Sequence, residues 1–117
     1  MERAAEFVKV AYSALAAKKG EDIRVLDIRG ISVISDYFVI ATGGNSSQLE
    51  AMKDEVDEQL GKAGATLKQI EGNRNSSWIL MDYGEIIVHI FSRDDRLFYN
   101  LERIWGDGKE IDIEELG

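Results

Sequence analysis

At 117 residues the chain makes one domain, large enough to bury a core without staples, and its 44% apolar share is ordinary for a globular protein. The absence of Cys removes disulfides, thiolate zinc sites and cysteine nucleophiles, and a net charge of −8 is the wrong sign for gripping phosphates, so nucleic acid is not expected as the main contact. No apolar run is long enough to cross a bilayer, and charges stand where a signal peptide needs an apolar stretch, so the chain reads as cytoplasmic or organelle-matrix with no membrane partner. An acidic surface suits a basic protein partner, although solubility alone is the simpler account of it.

Residues 2–19 predict a helix: Ala4, Val8, Ala11 and Leu15 recur at helical spacing, and Phe7 and Tyr12 widen the stripe. Lys18 and Lys19 in its last turn suit the negative end of the dipole, and Gly20 closes it. Residues 23–28 and 37–41 are short apolar strands, and the roughly eight residues between them suit an antiparallel hairpin better than a crossover. Gly43-Gly44-Asn45-Ser46-Ser47 is a turn running into a second helix, with Ser47 and Glu50 spaced for a capping box. Leu49, Met52, Val56 and Leu60 form the inward stripe of that helix. It leads to a third strand at 67–71 as a strand-helix-strand unit, expected to be right-handed.

A polar loop, 72–77, precedes the stretch around which the rest is organised, WILMDYGEIIVHIFS at 78–92. It reads as two strands folded back at Asp82-Tyr83-Gly84-Glu85. The second strand is apolar on both faces apart from His89, so it belongs mid-sheet with both faces covered. The turn, by contrast, is expected to put its acids and Tyr83 at the surface. Ser92 and Asp95 open a last helix with Leu97, Leu101, Ile104 and Trp105 inward and Gly106 as its stop. The expected fold class is α/β (α+β): one domain over residues 1–106, built as a single mixed five-stranded sheet with helices on both faces. An acidic tail, 107–117, has no period and is expected to be loosely held.

No catalytic set assembles from these residues. His89 lies inside an apolar strand, where a hydrogen-bonded core His is the commoner outcome. The 43–47 loop has the strand-to-helix placement that can cradle a phosphate, but neither GxGxxG spacing nor the Lys of a P-loop. Nucleotidyltransferases place a Gly-Ser turn here too, yet they need an Asp-x-Asp strand for two metals, which the segment 67–71 lacks. Asp54 and Asp57 fall on the second helix at solvent-facing spacing. The serines have no GxSxG context, and Asp82 and Glu85 read as solvated turn residues. The chain reads as a non-enzyme with no cofactor and no metal; the alternative is a small nucleotide-binding or nucleotidyltransferase-like enzyme using the 43–47 loop.

Several ordered blocks carry a resemblance: Asp27 with Gly30, Ser35-Asp36-Tyr37-Phe38-Val39-Ile40-Ala41-Thr42-Gly43, Ser46-Ser47-Gln48, Glu71-Gly72, Trp78, Asp82-Tyr83-Gly84, Val88-His89-Ile90-Phe91, and Arg96 through Tyr99, Leu101 and Glu102 to Trp105. Over about residues 3–106 the chain resembles the ribosomal silencing factor family, also called Iojap-like. The resemblance implies a bacterial or organellar protein that binds the large ribosomal subunit on its universal protein L-fourteen. It implies that joining of the small subunit is thereby blocked and translation repressed when nutrients run short. It also implies a nucleotidyltransferase-like core without the catalytic acids, and a homodimer off the ribosome. Trp78, Leu80, Asp82, Tyr83 and Glu85, with Arg96 and Tyr99 beside them, are the expected partner-binding patch. Trp78, Leu80 and Asp82 share one strand face by the period of two. Trp78 and Leu80 would serve equally well as core. Arg96 and Tyr99 fall on the helix flank away from Leu97 and Leu101, and Trp105, in register with Leu101, reads as core.

Overall fold

The computed structural model describes residues 3–29, 35–72, 78–92 and 109–111. In chain order the elements are helix α1 (Arg3–Ala17), strands β1 (Glu21–Asp27) and β2 (Tyr37–Gly43), helix α2 (Ser46–Lys62), and strands β3 (Gln69–Glu71), β4 (Trp78–Asp82), β5 (Ile86–Ser92) and β6 (Lys109–Ile111). They form a mixed α+β fold whose sheet runs β3-β4-β5-β2-β1-β6. β2 and β5 pair in parallel at its centre, and every other pair is antiparallel.

The two strands without polar alternation take the two central places. β2 is buried along its whole length, and β5 at every position but Ser92. A strand flanked by strands and covered on both faces has no wet side on which a polar residue could sit. β1 pairs antiparallel with β2 as its short connection predicts. The β2-α2-β3 connection passes over β5 and β4, and the pairings make β3 parallel to β2 at the far edge of the sheet.

Both described helices lie on one face of the sheet. α1 presents Ala4, Phe7, Val8, Ala11, Ala14 and Leu15, and α2 presents Leu49, Met52, Val56 and Leu60, to a core shared with Val25, Val39, Ala41, Ile79, Met81, Val88 and Ile90. All these residues are at most 3% exposed, and burial of each larger side chain contributes about 1.5–3 kcal/mol. On the opposite face Leu26, Ile28, Phe38, Ile40, Ile87 and Phe91 form a second buried cluster. Ser92, expected to open the last helix, ends β5 instead, and the rest of that helix lies outside the described residues.

Three local expectations are corrected. The tail is not wholly loose: Lys109–Ile111 pairs with β1, Val25 opposite Ile111 and Asp27 opposite Lys109, which makes six strands in place of five. Three residues are too few to show a period, and the free edge of β1 supplies their backbone partners. The first helix is closed by Lys19 in the left-handed region, φ 62°, with the Gly20 amide donating to the Leu15 carbonyl at 2.9 Å. Gly20 is needed for space, since a Cβ there would stand 2.9 Å from that same oxygen. The second helix is capped by Asn45, not Ser47: Asn45 Oδ1 accepts the Gln48 amide at 2.8 Å, and Gln48 Oε1 accepts the Gly44 amide at 2.6 Å. The chemistry is that of a capping box, started two residues earlier because Asn45 adopts the extended backbone a cap requires. Gln48 Nε2 also donates to the Lys18 and Lys19 carbonyls, at 3.2 and 2.9 Å, and so ties the end of α1 to the start of α2.

Candidate functional site

β4 alternates as a strand with one dry face and one half-wet face must. Ile79 and Met81 are fully buried under the helices, whereas Trp78, Leu80 and Asp82 are half-buried on the other side. Next to them in the sheet, Phe91 stands opposite Trp78, His89 opposite Leu80 and Ile87 opposite Asp82. On the outer side Glu71 of β3 faces Leu80, and Gln69 faces Asp82, both exposed. The face therefore grades from a buried aromatic floor on β5 and β2, through half-buried Trp78 and Leu80, to an acidic rim at Asp82 and Glu71. Trp78 and Leu80 are thus both core edge and surface.

The floor is aromatic. The Trp78 ring stacks on Phe91 with centroids 5.3 Å apart and lies 5.8 Å from His89; Phe38 meets His89 edge-on at 4.7 Å. His89 is 4% exposed, a core His as its strand predicts, and its Nδ1 accepts the Trp78 indole N–H at 3.2 Å. Burial lowers its pKa from 6.5 to about 3, so the imidazole stays neutral. That pairing of positions 78 and 89 was within reach of the sequence, because a hairpin folded at 83–85 sets Leu80 opposite His89 and Trp78 one step away.

The turn departs from expectation at Tyr83. It is 3% exposed and belongs to the core under the helices, its phenol donating to Asp57 Oδ1 of α2 at 3.0 Å. Burial first, then the hydrogen bond and charge of Asp57, push its pKa well above the ordinary value. Tyr83 follows Asp82 on a strand just ending, so the period of two turns it to the helix side, away from Trp78 and Leu80. It does not belong to the patch. Asp57, on the exposed side of α2 as its spacing predicts, becomes the turn's anchor.

Around Tyr83 the turn is held by short hydrogen bonds. Asp82 Oδ1 accepts the Gly84 amide at 2.8 Å, and Gly84 takes φ +87° where L side chains are strained. The Glu85 carbonyl accepts from Ser35 Oγ at 2.9 Å and from the Asp36 amide at 3.0 Å, which locks the turn to the segment entering β2. Glu85 itself is half-buried. Arg96 and Tyr99 lie outside the described residues.

At the 43–47 loop and the first turn of α2, three backbone amides are engaged within the cap itself. The Gly44 amide donates to Gln48, the Gln48 amide to Asn45 Oδ1 and the Leu49 amide to the Asn45 carbonyl. Gly43 is there for packing, since a Cβ would approach Leu49 Cδ2 to 2.8 Å and Met52 Sδ to 3.3 Å. Among the described residues no helix is long and apolar enough to cross a membrane.

The family model described as ribosomal silencing factor during starvation matches residues 1–117. A ribosomal silencing factor from Bacillus subtilis is 39% identical over 92% of this chain and 91% of its own length. One from Halalkalibacterium halodurans is 36% identical over 93% of each. Among solved structures, a crystal structure of a protein from Chromobacterium violaceum matches with a TM-score of 0.86 at 33% identity, covering 91% of this chain and 88% of that one. With a family model spanning every residue and relatives this similar over nearly their full lengths, the chain belongs to the ribosomal silencing factor family.

Proposed function

We propose that this protein binds the large ribosomal subunit through the universal large-subunit protein L-fourteen, blocks joining of the small subunit, and so represses translation when nutrients are short. It acts by occupying space, without catalysis or cofactor, as a cytoplasmic protein that is a homodimer when off the ribosome. The observation that carries the reading is the outer face of β4, where half-buried Trp78 and Leu80 are rimmed by the carboxylates of Asp82 and Glu71.

The physics runs from charge to site. A chain of net charge −8 is repelled by ribosomal RNA and settles only where a basic protein is exposed. There the rim carboxylates speed encounter, while the apolar and aromatic centre supplies most of the affinity. Asp82 and Glu71 hold the first role and Trp78 and Leu80 the second.

Co-sedimentation with isolated large subunits tests the proposal. The native chain is expected in the pellet at micromolar concentration, and Leu80→Arg in the supernatant with its fold intact by circular dichroism. Asp82→Asn is the better charge variant than a reversal, because the amide keeps an Oδ1 to accept the Gly84 amide while removing the carboxylate charge. It is expected to slow association and flatten the salt dependence. Undiminished capture by Leu80→Arg would show that the patch is elsewhere, and a native chain left wholly in the supernatant would end the reading. Light scattering of the free protein checks the homodimer.

A further inference from the structure

We propose that His89 is the positioning residue of the binding patch: its Nδ1 holds the Trp78 indole N–H and so sets the orientation in which that ring is offered to the partner. This rests on the reading of Trp78 as a contact. An indole N–H can only donate, so Nδ1 is the acceptor and the imidazole proton sits on Nε2. His89 is inaccessible to a partner, at 4% exposure, and among the described residues its Nε2 has no hydrogen-bond partner. An apolar residue of similar volume would pack between Phe38, Phe91 and Leu80 without leaving a buried N–H unmet. What the imidazole adds, and an apolar residue could not, is one acceptor aimed at Trp78.

The restraint has a clear geometry. Trp78 stands opposite Phe91 and one step from His89, so Phe91 supplies a stacking surface for the ring and His89 a directional bond that stops it sliding or flipping on that surface. A half-buried Trp held in one rotamer loses less freedom on binding than one free to turn, and that saving appears as affinity. Burial keeps the imidazole neutral, so the acceptor persists through neutral and mildly acid pH.

Substitutions at His89 and Trp78 test this. His89→Leu removes the acceptor at similar volume, His89→Asn places Oδ1 near the position of Nδ1, and Trp78→Phe removes the donor. The readouts are the Trp78 indole resonance in a proton–nitrogen correlation spectrum and capture by isolated large subunits. The chain has two Trp, so the Trp78→Phe spectrum assigns the peak. His89→Leu is expected to move the indole resonance and weaken capture about five-fold, the worth of one hydrogen bond, and His89→Asn to restore much of both. In the Trp78→Phe background His89→Leu is expected to cost nothing more. An unmoved indole resonance, or an equal loss of capture in both backgrounds, overturns the proposal. Should Trp78→Ala itself capture subunits undiminished, the patch reading fails and the positioning role falls with it. The indole shift in His89→Leu then distinguishes that failure from a missing tie.

Discussion

Mild acid should destabilise this protein through one buried imidazole, and replacing it should remove the effect. His89 has its pKa lowered from 6.5 to about 3 because desolvation penalises the charged ring. A proton on Nδ1 would moreover set a donor against the Trp78 indole N–H 3.2 Å away. The unfolded chain therefore takes up the proton first. Stability is whole above about pH 6.5 and falls as pH drops toward the folded-state value, with a slope approaching about 1.4 kcal/mol per pH unit. By about pH 5.5 the loss is about 1.4 kcal/mol, or roughly 0.5–1.4 M in urea midpoint for a slope of 1–3 kcal/mol/M. Urea unfolding of the native chain and His89→Leu at about pH 7.5 and about pH 5.5 isolates the term, since carboxylate contributions are common to both and cancel in the difference. The gap between the two midpoints should shift in favour of His89→Leu by that amount as pH falls. Parallel pH profiles would refute a neutral, buried His89.

Three further substitutions probe how the site is held. Tyr83→Phe removes the bond to Asp57 Oδ1 and should lower unfolding free energy by about 1–2 kcal/mol in urea titration, while leaving subunit capture unchanged because Tyr83 faces the helices. Gly72→Ala, at φ +84° with the added Cβ driven into the Trp78 carbonyl, should cost about 2 kcal/mol or more; it should also disturb the Trp78 fluorescence, and an unchanged melting temperature would count against the backbone geometry. Gln48→Ala leaves the Gly44 amide and the Lys18 and Lys19 carbonyls without that side chain, and should cost about 1–2 kcal/mol. Amide exchange should then quicken at the start of α2 and the end of α1.

Residue order alone determined that the hairpin at 78–92 is central, because Ile86 to Phe91 has no polar alternation and only a strand covered on both faces tolerates that. It likewise determined the inward stripes of α1 and α2, the antiparallel β1-β2 pair, the shared face of Trp78, Leu80 and Asp82 on β4 and the family, since each is carried by period or by ordered local motifs; that this face is half-wet, period alone leaves open. What it could not determine depends on contacts between distant residues. Tyr83 between two acids reads as surface until Asp57, far back in the chain, stands over it. Residues 109–111 have no pattern of their own and become a strand only because β1 leaves an edge unpaired. Asn45 outcompetes Ser47 for the cap because Gln48 must reach both Gly44 and the end of α1. Tertiary structure made these choices, because a hydrogen bond between distant segments leaves no period in the sequence to read.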